Sequence, residues 1–169
     1  LNDPQQCEEI ISTGQADIVE LGRALLADPD LPKKAFAGRA QDIRPCLRCF
    51  ACLAGSVVHE TICCAVNPII GNELDDKFYV PPPQKAKKVM VVGGGPAGMQ
   101  AAITASERGH HVTLYEETDE LGGALKFAQY VDFKQDLADF NRYLIRQVHK
   151  NGATVVLNRR VTRQLVLQE

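Results

Sequence analysis

Lys88-Val-Met-Val-Val-Gly93-Gly-Gly95-Pro-Ala-Gly98 is the stretch that decides the fold of the C-terminal half. Lys88 to Val92 reads as an apolar strand, the glycines follow at once, and a helix is expected from about Pro96 to Glu107. Gly93 permits a tight turn, Gly95 lets the backbone approach a pyrophosphate at the helix N-terminus, and Gly98 lets helix and strand pack closely. A second strand, His111 to Tyr115, ends in Glu116, where a carboxylate accepts hydrogen bonds from an adenosine ribose. The acid favours a free 2′-hydroxyl, because it would repel a 2′-phosphate. Gly122 and Gly123 let the backbone fold over a bound dinucleotide. An amphipathic helix over Lys134 to Lys150 then buries Leu137, Phe140, Leu144, Ile145 and Val148, Gly152 caps it, and Ala153 to Leu157 supplies a third strand. Together these elements predict a Rossmann-like α/β fold that binds a dinucleotide.

Upstream lies Cys46-Leu-Arg-Cys49-Phe-Ala-Cys52, answered by Cys64. Three thiols at this spacing converge on one metal centre if the loop curls around it, and a fourth closes the cage. An iron–sulfur cluster is the reading this spacing favours, because zinc sites usually pair their ligands as two separated CxxC knuckles. A redox-silent four-thiolate zinc site is the alternative. Cys63 adjoins Cys64, so either could supply the fourth ligand. Cys7 falls in an expected helix and reads as a small buried hydrophobe.

With 169 residues, 45% hydrophobic and 24% charged, the chain has the composition of a soluble globular protein. No apolar run is long enough to span a bilayer, and a net charge of -2 without a basic tract gives nothing for nucleic acid to bind. Six cysteines without a secretory leader point to a reducing, cytoplasmic location. The length is that of one domain, but the pieces belong to two, and the chain reads as a fragment of a longer protein.

The N-terminal piece reads as helix, strand, helix. Asp3 to Ser12 carries a helical pattern closed by Gly14, Ala16 to Leu21 reads as a short strand, and Gly22-Arg23 opens a second helix. A glycine followed by an arginine at a strand end suits a phosphate, the alternative being a tight turn with a surface arginine. Pro32 begins a further helix over Lys33 to Ala40, weakened by Gly38. Pro81-Pro-Pro83 and the Lys85 to Lys88 charge run read as a semi-rigid linker with a solvated face. The expected divisions are 1–43, a cluster loop over 44–70, a linker over 71–87, and the dinucleotide fold over 88–169. His59, His110, His111 and His149 have no partner spacing and receive no chemistry.

The order of these parts resembles the iron–sulfur flavoproteins of the old-yellow-enzyme class, the group of 2,4-dienoyl-CoA reductase, 2-enoate reductase and trimethylamine dehydrogenase. The resemblance covers essentially the whole chain. It rests on Ala16-Asp-Ile-Val-Glu-Leu-Gly-Arg23, Ala27-Asp-Pro-Asp-Leu-Pro32, Arg44-Pro-Cys46, Cys64-Ala-Val-Asn-Pro68 and Val91-Val-Gly-Gly-Gly-Pro-Ala-Gly98. It implies that 1–43 is the last repeat of a TIM barrel holding FMN, with Gly22, Arg23, Ala24 and Leu25 at the phosphate end. It implies a 4Fe-4S cluster on Cys46, Cys49, Cys52 and Cys64, the last chosen over Cys63 by its context. By match of position, Ala97, Glu116, Lys134 and Val161 would contact FAD, or ADP in the amine dehydrogenase branch. One departure is Ala124, where FAD-binding members often carry Gln, so ADP stays open in place of FAD. The first three cysteines have the shorter spacing that amine dehydrogenases share. The parent protein is expected to pass electrons from NAD(P)H through FAD and the cluster to FMN, and from there to an α,β-unsaturated carbonyl substrate. Amine oxidation is the rival, as is a noncatalytic nucleotide-binding module with structural zinc. The isolated piece is expected to be inactive, and homo-oligomer formation is compatible with the sequence.

Overall fold

The computed structural model describes residues 2–57, 61–74 and 85–168 of the chain. They fall into two compact units, Leu1–Tyr79 and Val80–Glu169. The proline run 81–83 and His59 lie outside the described residues.

The second unit is built on a three-stranded parallel sheet in the order β1-β2-β3, with β1 Lys88–Val92, β2 His111–Tyr115 and β3 Thr154–Val156. Parallel neighbours need crossovers, and the helices expected from the sequence supply them. Pro96–Glu107 joins β1 to β2 and Gln135–Lys150 joins β2 to β3. Met99, Ala102 and Ile103 from the first helix meet Leu144 and Val148 from the second and Val112 and Leu114 from β2 in one core. Met99, Leu114, Leu144 and Val148 have no exposed surface. The long helix ends as expected, with Gly152 at φ +77° just past its cap at Asn151. β3 is shorter than the sequence pattern suggests, since Ala153 and Leu157 fall outside it.

The first unit departs further from expectation. It contains α1 Pro4–Ser12, α2 Arg23–Ala27, α3 Leu31–Phe36 and α4 Ala51–Val57; the crossover helices of the second unit are α5 and α6, and α7 is Arg163–Gln168. Ala16 to Leu21 forms no strand, and Ile18 is 82% exposed. A parallel strand exists only within a ladder, and no strand among the described residues of this unit offers one. Helix α3 starts one residue before Pro32 and stops at Phe36, with Gly38 at φ +67° beyond it, so the span to Ala40 was too long. Nor is Cys7 buried. It is half-exposed on a helix with no buried residue. Ala24, Leu31 and Ile43 form a small core under these helices.

Candidate functional site

Two buried polar side chains fix the cysteine loop to α2. Asp28, 4% exposed, takes the Arg44 N–H at 2.7 Å and the Lys34 ammonium at 2.6 Å on one oxygen, and the Asp30 N–H at 3.1 Å on the other. Asn67, 2% exposed, donates its amide to the Leu26 carbonyl at 2.9 Å and accepts from the Ile69 N–H. Arg44 stands two residues before Cys46, and Asn67 three after Cys64. Each end of the loop is therefore tied to the same short helix. A buried carboxylate or amide left without partners costs about 1–3 kcal/mol, so these ties are specified, not incidental.

Within the loop, Arg48 at φ 51° and Phe50 at φ 60° adopt the left-handed conformation, which costs a non-glycine residue about 1–2 kcal/mol. This curls the chain so that Cys46, Cys49, Cys52 and Cys64 line one hollow, together with Arg23, Leu26, Leu47, Phe50, Ala65 and Val66. Cys63 is absent from that wall; its thiol donates to the Ala51 carbonyl at 3.6 Å. The Arg48 N–H donates to the Cys46 sulfur at 3.5 Å. The loop is not irregular throughout, because Ala51–Val57 forms α4 around Cys52. Among the described residues no three Cys, His, Asp or Glu side chains close on a single ion position.

A second hollow adjoins the first. Gly22, Arg23 and Ala24 line it with Glu20, Cys46 and Arg48, while Leu25 instead packs against the small core. Arg23 belongs to both walls. Its guanidinium stacks on the Phe50 ring, 4.3 Å from the centroid, and its Nη1 is buried without a hydrogen-bond partner among the described residues. Arg48 was not anticipated as a wall of this hollow, since between two cysteines it reads only as a solvated charge.

In the second unit Gly93 and Gly98 meet the expected demands of turn and close packing. Gly93 has φ +98°, and a Cβ on Gly98 would stand 1.9 Å from the Gly93 carbonyl oxygen, so α5 starts against the turn itself. Nothing lies within 4 Å of the space a Gly95 Cβ would fill, leaving the helix N-terminus open in front. Gly94 was missed: a Cβ there would meet Leu121 Cδ2 at 2.4 Å, a long-range constraint that spacing does not reveal. Gly122 donates its N–H to the Gly94 carbonyl at 2.8 Å, and Gly123 follows against Gly95, so the glycine pair folds back on the turn. Ala97 is exposed in the first turn of α5.

Glu116 is buried at the end of β2. Its carboxylate accepts the Gly94 N–H at 2.6 Å on one oxygen and the Thr118 N–H and hydroxyl, both at 2.9 Å, on the other. Burial works to raise its pKa, but these backbone and hydroxyl donors outweigh it and hold the carboxyl below the ordinary glutamate value. The acid thus braces the glycine turn as well as facing a hollow lined by Gly93, Val161, Arg159 and Arg160. Lys134 does not reach that hollow; its ammonium lies over the Phe133 ring.

Residues 88–162 match the family described as FAD dependent oxidoreductase. The chain is 45% identical over 157 residues to a NADH oxidase of Thermoanaerobacter brockii, covering 92% of this chain and 24% of that protein. It superposes on 2-naphthoyl-CoA reductase, solved with 2-naphthoyl-CoA, with a TM-score of 0.94 and 38% identity, over 98% of this chain and 25% of that one. Histamine dehydrogenase from Rhizobium sp. 4-9 superposes at a TM-score of 0.89 with 29% identity, over 99% and 25%. The chain therefore spans about a quarter of the length of the relatives it matches.

Two measurements test this geometry. Because the folded pKa of Glu116 is depressed, its contribution to stability is fully present above the ordinary value of about 4.5 and is lost as the pH falls through the folded value. Thermal unfolding of Glu116→Gln is expected to start from a lower midpoint at neutral pH and to lose less on acidification than the wild type; parallel curves would contradict the brace. Metal content after anaerobic loading is expected to survive Cys63→Ser and to drop severalfold in Cys64→Ser, and the opposite order would hand the fourth position to Cys63.

Proposed function

We propose that the chain, whose residues 88–162 match the FAD dependent oxidoreductase family, is the electron-transfer segment of an NAD(P)H-dependent reductase. The substrate is the C=C bond of an α,β-unsaturated carbonyl compound of the enoate or acyl-CoA type. Cys46, Cys49, Cys52 and Cys64 hold a 4Fe-4S cluster, Arg23 holds the phosphate end of FMN, and the glycine turn holds FAD or ADP.

The observation that carries this reading is the hollow shared by four cysteines from two separate segments. Cys46, Cys49 and Cys52 come from one segment and Cys64 from another, and all four line one hollow, an arrangement that suits the thiolate ligands of a cluster. When bound, the cluster supplies a one-electron store between two flavins that each exchange two electrons. The protein's part is to hold and shield. Leu26, Leu47 and Val66 supply the apolar part of the wall beside the thiolates, of which Cys49 is exposed, and the Arg48 N–H steadies the charge on Cys46.

The phosphate assignment is supported by the Arg23 Nη1, a buried donor in want of an acceptor beside the hollow that Gly22 and Ala24 line. Residues 1–43 accordingly form the end of an FMN-holding TIM barrel. For the nucleotide, the open N-terminus of α5 suits a pyrophosphate, and Glu116 with Val161 suits the adenosine. Ala124 offers no polar side chain beyond the glycine pair, so ADP fits the same cradle. The reductase reading is preferred over amine oxidation because the chain is more similar to the naphthoyl-CoA reductase than to the histamine dehydrogenase.

The test uses the intact protein prepared without oxygen. After reduction by NADH or NADPH, an enoate or its CoA ester is expected to restore the oxidised flavin spectrum, and histamine or trimethylamine is expected to leave the oxidised protein unchanged. Bleaching by an amine, with no reoxidation by any unsaturated acid, would replace the reductase by an amine dehydrogenase.

A further inference from the structure

Among the described residues, Arg23 is the one charged side chain on the wall of the thiol hollow. It reaches there from α2, while its neighbours Gly22 and Ala24 face the adjoining phosphate hollow, on whose wall Arg23 and Cys46 both recur. Its guanidinium is held by stacking on Phe50, a residue between the second and third cysteines that adopts a φ of 60°. A left-handed backbone at a bulky aromatic persists only where its surroundings fix it, and the ring it presents is the one that seats the arginine. Nη1 is buried and has no hydrogen-bond acceptor among the described residues.

Resting on the cluster reading above, we propose that Arg23 is a positioning and tuning residue shared by the two redox sites: besides the phosphate, it sets the reduction potential of the cluster. Adding one electron makes the thiolate-bound cluster more negative, and a fixed cation on the wall of its pocket favours that form. The potential is thereby raised. Phe50 keeps the cation on the cluster side, so the two residues act as one device.

The experiment is an EPR-monitored redox titration of the cluster in the full chain, reconstituted with iron and sulfide without oxygen. Arg23→Met is expected to move the midpoint to a more negative value by about 59 mV or more, the equivalent of a tenfold change in a one-electron equilibrium. Arg23→Lys, which keeps the charge, is expected to recover most of that shift. Phe50→Leu frees the guanidinium and is expected to give a smaller shift of the same sign. Midpoints of Arg23→Met and wild type that agree, at equal iron content, would overturn the proposal. Should Arg23→Met take up no iron, Phe50→Leu decides: a negative shift supports the proposal and an unchanged midpoint overturns it. Wild-type chain that takes up neither iron nor sulfide would overturn the cluster reading itself, and this inference with it.

Discussion

The cysteine loop depends on being tied down at both ends to one short helix. Asp28 takes the Arg44 N–H just before Cys46, and Asn67 reaches the Leu26 carbonyl just after Cys64. Those two buried groups add to the Arg23–Phe50 stacking and the Cys63–Ala51 bond, and they matter because Cys49, Phe50 and Leu53 are exposed and the small core beneath consists of Ala24, Leu31 and Ile43. Thiolates are poor at organising their own cage before a metal arrives. A loop held at its ends loses less freedom on closing around a cluster, which is what preorganisation contributes to binding.

The second unit solves a similar problem with a different device. There the glycine turn is held by a carboxylate: Glu116 reaches back from the end of β2 to the Gly94 N–H, and the Gly94 carbonyl accepts from Gly122. Gly94, between strand and helix, is thus held at both its N–H and its carbonyl before any ligand binds. The negative charge of Glu116 is stable there because N–H and hydroxyl donors converge on it.

What was legible in the sequence was local. The glycine spacing announces a strand–turn–helix because each glycine answers a backbone demand within a few residues, and the amphipathic stripe through Leu144 and Val148 gives α6 almost to the residue. The cysteine pattern likewise anticipated that Cys46, Cys49, Cys52 and Cys64 line one hollow. The ties were hidden: Asp28 to Arg44 spans 16 residues and Asn67 to Leu26 spans 41, and nothing local marks an aspartate or asparagine as buried. Gly94 was passed over because its constraint comes from Leu121 across the fold. Ala16 to Leu21 was misread in the opposite sense. Its β-branched residues have the composition of a strand, but composition does not supply a neighbour to pair with.

The central claim is that four cysteines from two segments hold an electron-carrying cluster. It is tested most directly by the visible absorption spectrum of chain purified without oxygen, taken with its iron, sulfide and zinc content. The account predicts a brown protein with iron and sulfide in equal amounts, bleaching on reduction. A colourless protein carrying zinc, never exposed to oxygen, would contradict it and make the thiol hollow a structural metal site.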